Sequence, residues 1–130
     1  MVKIILISHG NLGKCLLETA AEICGCNVNE VADFTVSGKV NLEQIESEIK
    51  TIINTQDCLI FVDIFGGTAS NIALKCAVGK SNVSVICGIN LNMLLTALHN
   101  RENLNLNELA AKIITDGKKA ILEATELIKK

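Results

Sequence analysis

Apolar residues in this chain fall into two kinds of run that alternate from end to end. Short continuous runs come first: Val2 and Ile4, Ile5, Leu6 and Ile7 lie within the opening stretch 1–10, MVKIILISHG. Five apolar, largely β-branched residues out of six predict a central strand buried on both faces. Another such run, Cys58–Val62, predicts a further core strand, Val83–Cys87 closed by Gly88 predicts a fourth strand, and the less regular stretch 28–36 predicts a strand nearer a sheet edge. Between them apolar residues recur every third or fourth position, as they do on helices. Leu12, Cys15, Leu16, Thr19, Ala20 and Ile23 make a first stripe, which stops at Gly25. Leu42, Ile45, Ile49, Ile52 and Ile53 make a second, opened by Asn41 with Gln44 three residues on, a capping-box pattern.

A third helix is predicted through Ile72, Ala73, Cys76 and Ala77, and a short one over 91–98. The last helical spacing starts at Asn105, with Glu108 as a second capping box, and runs through Leu106, Leu109, Ile113, Gly117, Ile121 and Leu127 to Ile128. Unbroken, it would be ~37 Å long, and Asp116-Gly117 is the place where it would break. That excess length predicts a surface shared with a second subunit. The order β-α-β-α-β-α-β-α-α predicts an α/β protein, a three-layer α/β/α sandwich on a mainly parallel sheet of four strands. Residues 1–130 read as a single domain, with no internal repeat or linker.

Composition narrows the function. Aromatic residues are 2% of the chain, with no Trp or Tyr, so the stacking platforms of single-strand nucleic-acid binders are missing. The net charge is -2, which also argues against a nucleic-acid partner. Six cysteines occur without any CxxC pair; Cys24-Gly25-Cys26 is the one close spacing. They are expected to be incidental or buried thiols, with no disulfide framework, metal site or cofactor. The chain opens directly on a strand and has no apolar run of about 18 residues, which predicts a cytoplasmic protein.

The candidate chemistry lies where the two most apolar strands end. Parallel neighbours end at one edge of a sheet, and open α/β sheets bind ligands at the carboxyl ends of their strands. His9 just past the first strand and Asp63 just past the third would meet there. A carboxylate beside an imidazole fixes its tautomer and leaves the other ring nitrogen free as a nucleophile. Gly66-Gly67-Thr68 follows Asp63 between strand and helix, where inward backbone N–H groups and a helix start favour an anion. His9, Asp63, Gly66, Gly67 and Thr68 are therefore the candidate catalytic and phosphate-binding residues. Apolar Leu12 and Phe65 beside them are expected to form a docking surface. No Walker loop or GxGxxG fingerprint is present, which disfavours nucleotides. His99, beside Leu94, Leu95 and Leu98 at a helix end, reads as structural.

SHG after the first strand, FVDIFGGTASN around the third and CGINLNMLLTAL after the fourth together resemble the enzyme IIA component of the mannose/fructose/sorbose family of the bacterial phosphoenolpyruvate-dependent sugar phosphotransferase system. The resemblance runs over nearly the whole chain, including ELAAKIITDGKKAI near its end. It implies strand order 2-1-3-4 and a homodimer. It further implies a phosphotransferase in which His9 becomes phosphohistidine, taking a phosphoryl group from the phosphocarrier HPr and passing it to a IIB domain that serves a membrane IIC/IID permease. Asp63 matches the carboxylate that orients the histidine, and Gly67 and Thr68 match the phosphate-holding loop. Two places depart from the family pattern: Ala69-Ser70 stands where many members have Pro-Phe, and Asn92 where they have Pro. These departures are expected to affect loop rigidity or partner fit. Because the chain ends at Lys130, a stand-alone IIA is expected, not a fused IIA–IIB chain. The alternatives are a phosphohistidine donor to a soluble kinase of the dihydroxyacetone-kinase type or to a regulator, and a non-catalytic small-anion module on a flavodoxin-like fold.

Overall fold

The computed structural model describes residues 1–129. Strands β1 (Lys3–Ser8), β2 (Ala32–Thr35), β3 (Cys58–Val62) and β4 (Val83–Cys87) form one parallel sheet in the order β2-β1-β3-β4. Helices α1 (Leu12–Cys24), α2 (Leu42–Ile53), α3 (Thr68–Ala77), α4 (Leu91–Asn100) and α5 (Leu106–Lys119) cover it. The two central strands, β1 and β3, are the two most apolar, and residue by residue their side chains go to opposite faces. Ile4, Leu6, Leu59 and Phe61 pack under α1, α4 and α5 with Leu17, Leu94, Leu109 and Ile113. Ile5, Ile7, Ile60 and Val62 pack under α2 and α3 with Ile45, Ile49, Ile53 and Ala73. Fully burying each such side chain is worth about 1.5–3 kcal/mol, so a run apolar at every position is what a sheet covered on both sides requires. This is the expected α/β/α sandwich with the expected strand order.

The differences from expectation lie at the periphery. The edge strand β2 is four residues long, not nine, because residues 28–31 form a turn closed by Val31 N–H donating to the Val28 carbonyl at 3.1 Å. Helix α1 is rotated from the expected face. Gly13, Leu17 and Ala20 are buried, whereas Leu12, Cys15 and Ile23 are exposed. The close approach at Gly13 explains the rotation: a Cβ there would lie 2.3 Å from Asp33 Oδ1 and 2.9 Å from Ser8 Oγ, so only glycine lets the helix start against β1 and β2. Gln44 supplies half of the expected capping box, its N–H donating to Asn41 Oδ1, while its side chain turns to Glu48. At Asn105 the box is complete in both directions.

Helix α5 ends at Lys119, and a 3-10 segment, Ala124–Ile128, follows it. The continuous helix to Ile128 is therefore corrected, and the break comes after the Asp116-Gly117 pair instead of at it. Ile121, Leu127 and Ile128 keep the helical spacing but have nothing to cover, and they are exposed together with Leu122. Gly117 stays inside the helix because α4 comes close: a Cβ there would lie 2.5 Å from Met93 Cγ, and Asn90 Nδ2 donates to the Gly117 carbonyl at 3.2 Å. Replacing Gly117 by leucine is expected to destabilise the fold by about 1–3 kcal/mol through overpacking. A lower urea midpoint at unchanged slope would show it.

The cysteines also differ from expectation. Cys58 and Cys76 are buried as foreseen, but Cys15 is exposed, and the sulfurs of Cys24 and Cys26 are in disulfide contact. The cause is Gly25, whose left-handed backbone (φ 67) ends α1 and folds the chain back on itself.

Candidate active site

His9 and Asp63 leave the sheet as neighbours. The β1–β3 register pairs Ile7 with Val62, so the next residues emerge together at the carboxyl edge. The His9 main-chain N–H donates to Asp63 Oδ2 at 2.8 Å, and His9 Nδ1 lies 2.8 Å from the same oxygen. The Ile64 N–H donates to Oδ1 at 2.9 Å. Because Nδ1 faces a carboxylate, the ring proton belongs on Nδ1, and the lone pair is on Nε2. The Asp63 side chain is 10% exposed and that of His9 48% exposed, so the carboxylate is sheltered and the ring reaches solvent. Burial pushes the Asp63 carboxyl up, but the bonds from the His9 ring and from the His9 and Ile64 N–H groups outweigh it. The carboxyl sits below its ordinary value and is ionised at neutral pH.

The loop after Asp63 turns at Gly66, whose φ of +89° favours glycine. Gly67 is needed for a different reason, since its backbone is extended. A Cβ there would be 3.6 Å from His9 Cε1 and 3.3 Å from Ile64 Cγ2, so its absence keeps space beside the imidazole. Gly67 is also the N-cap of α3. The first helical bond runs from the Asn71 N–H to the Gly67 carbonyl at 3.0 Å, and no side chain caps the end. The N–H groups of Thr68, Ala69 and Ser70 precede that bond and form a positively polarised end. Thr68 is exposed at this end and makes no capping bond.

The structure thus brings His9, Asp63 and Gly67 into direct proximity, with Gly66 and Thr68 flanking Gly67 in the loop. Phe65 at 74% exposed and Leu12 at 45% exposed stand near this rim in the chain, free of the core. Two supports were not foreseen. Ser8 Oγ accepts the Gly13 N–H at 3.0 Å and so caps α1 from inside the sheet. Ser37 Oγ accepts the Gly10 N–H at 2.6 Å and ties the loop after His9 to the end of β2. Ser8 finds its partner locally, where β1 passes into α1, whereas the Ser37 partner depends on the β1–β2 pairing. Ala69 and Ser70 are fully buried in the first turn of α3, and among the described residues Ser70 Oγ has no hydrogen-bond partner. This departure from the family pattern therefore sits inside the molecule, while Asn92 is exposed at the start of α4.

The family model described as the PTS system fructose IIA component, EIIA-man, matches residues 3–114. The chain belongs to the EIIA-man family. Among curated relatives, the chain is 33% identical over 112 residues to the PTS system fructose-specific EIIA component of Bacillus subtilis, covering 84% of this chain and 77% of that protein. It is 27% identical over 124 residues to the PTS system mannose-specific EIIAB component of Escherichia coli K12, covering 92% of this chain and 38% of that longer protein. Among solved structures, the mannose/sorbose specific IIA subunit of the phosphotransferase system from Enterococcus faecalis superposes with a TM-score of 0.81 at 25% identity, over 94% of this chain and 93% of that one. Phosphotransferase system component EIIA from Streptococcus agalactiae superposes with a TM-score of 0.87 at 24% identity, over 97% and 99% of the two chains. Membership in EIIA-man gives this chain a phosphotransfer role in a sugar phosphotransferase system. Among the described residues, no helix is long and apolar enough to cross a membrane.

Proposed function

We propose that this EIIA-man chain is a phosphohistidine carrier, accepting a phosphoryl group from phospho-HPr on Nε2 of His9 and donating it to a IIB domain. The observation that carries the reading is the paired bond from His9 to one Asp63 oxygen, which leaves Nε2 free at a solvent-accessible edge. As the Nε2–phosphorus bond forms, the bond from phosphorus to its donor atom on HPr breaks, and that atom leaves with the electron pair. The ring, still protonated on Nδ1, becomes cationic, and the Asp63 carboxylate offsets the charge. Phosphoryl transfer depends mainly on in-line positioning and on stabilising the equatorial oxygens. The N–H groups at the start of α3 and the Thr68 hydroxyl serve those oxygens, and Gly66 and Gly67 let the backbone come close. Passing the group to IIB repeats the step in reverse with a new acceptor.

A carrier must admit two proteins in turn, which suits a half-exposed imidazole. Leu12 and Phe65 serve as apolar docking contacts beside it. The coupled sugar uptake belongs to membrane IIC/IID partners, so the carrier works at the cytoplasmic face of the permease. The exposed Ile121, Leu122, Leu127 and Ile128 support a homodimer. Incubation with phosphoenolpyruvate, enzyme I and HPr is expected to load the chain with stoichiometric, acid-labile phosphate that a IIB domain then removes. No labelling under these conditions would overturn the reading.

A further inference from the structure

A second group of side chains gathers at the opposite, amino edge of the sheet. Cys24 closes α1, and the turn at Gly25 returns the chain so that the Cα atoms of Cys24 and Cys26 are 5.2 Å apart. His99 is the second-last residue of α4, a helix that packs against α1. One donor atom from each of Cys24, Cys26 and His99 lies within 4.8 Å of the others. The Cys26 N–H donates to Cys24 Sγ at 3.2 Å and holds the turn closed. Two helices also end at this place. Their carboxyl-terminal ends carry negative partial charge, which repels an anion and attracts a cation. The neighbouring Arg101 guanidinium is already engaged, its Nη2 donating to Glu30 Oε2 at 3.0 Å.

We propose that, in the dithiol form, Cys24, Cys26 and His99 bind a thiophilic divalent cation of the zinc(II) type. Two thiolates and one imidazole are a soft, three-ligand set that leaves one tetrahedral position open. The other thiols do not compete. Cys58 and Cys76 are buried, and burial together with nearby Asp57 pushes the Cys58 thiol up to about 11. Cys87 is part-buried at the carboxyl end of β4, packed against the core at the other edge of the sheet, and Cys15 stands alone on the exposed face of α1. The chemistry balances simply. A phosphine reductant supplies two electrons to the Cys24–Cys26 disulfide and is itself oxidised, and two protons complete the thiols. Zinc(II) then replaces those two protons as two Zn–S bonds form. The disulfide and the metal-bound form exclude one another.

The test uses the full chain, reduced with a phosphine, freed of it without oxygen, and titrated with zinc(II) against a chromophoric chelator. Cobalt(II) in place of zinc reports thiolate ligation as a charge-transfer band. Zinc binding stoichiometric with the chain is expected, together with release of protons. Affinity is expected to fall at least about 100-fold in Cys24→Ser, Cys26→Ser and His99→Asn, beyond what loss of an outer partner alone costs. Cys15→Ser should bind as the parent does, and the disulfide form should bind none. A reduced chain that takes no zinc from the chelator overturns the proposal. So does binding that survives Cys24→Ser, is indifferent to His99→Asn, or is lost in Cys15→Ser.

Discussion

Replacing His9 by alanine is expected to reduce phosphoryl acceptance to background, a fall of at least about 10⁴-fold, the scale on which loss of a reacting side chain is felt. The physical reason is specific. Nε2 is the one nucleophile that Asp63 orients, and the α3 N–H groups provide charge stabilisation without a lone pair. The fold should persist, because the His9 ring is half-exposed and makes its bond only to Asp63. The main-chain N–H of residue 9 still donates to Asp63 in the variant, so the loop remains tied. The measurement is acid-labile phosphate after incubation with phosphoenolpyruvate, enzyme I and HPr, alongside a thermal melt. A well-folded variant that still takes up label would remove His9 from the centre of the mechanism.

Asp63→Asn is expected to slow transfer by about 10²- to 10⁴-fold while keeping the shape of the site. The amide retains an acceptor oxygen but loses the charge that holds the proton on Nδ1 and offsets the phosphorylated ring. A purely structural role for Asp63 would leave the rate unchanged, which is the outcome that counts against the assignment. The same substitution has a signature in stability against pH. The folded Asp63 carboxyl lies below its ordinary value. A depressed carboxyl contributes stability that is fully present above its unfolded value of ~3.9 and is lost as pH falls through the folded one. Urea midpoints of the parent chain should therefore drop on acidification below about pH 4, and the asparagine variant should lack that part of the drop.

How legible each feature is in the sequence follows from how local its cause is. β3 can be placed to the residue because burial on both faces demands an uninterrupted apolar run, and β4, part-buried at the sheet edge, keeps that signal with one interruption at Ser84. The meeting of His9 and Asp63 follows from the same runs, since parallel neighbours end together. The face of α1 is not legible from hydrophobicity alone. What turns it is the space needed at Gly13 beside Ser8 and Asp33, and a glycine adds nothing to an apolar stripe. The end of α5 is hidden for a related reason. Ile121, Leu127 and Ile128 keep the spacing of a helix, and periodicity does not say whether a partner surface exists. Ser37 supports the site through the β1–β2 pairing, which brings together residues 27 positions apart, whereas Ser8 supports it locally, five residues from its partner at the start of α1. Cys24 and Cys26 meet through a single left-handed glycine, a backbone property that spacing rules for metal sites do not contain.

The β1–β3 register acts as a ruler for the chemistry. Because both strands are buried on both faces, it is the fit of individual side chains that fixes their register, and a slip of one residue shifts each side chain by about 3.3 Å and turns it to the other face of the sheet. Such a slip would carry the carboxylate far outside reach of the imidazole. A molecule assembled out of step would thus be both badly packed and inert, and quality control by the interior is at the same time quality control of the catalyst. Substitutions deep between Ile4 and Val62, remote from any partner, should accordingly be felt first as lost turnover.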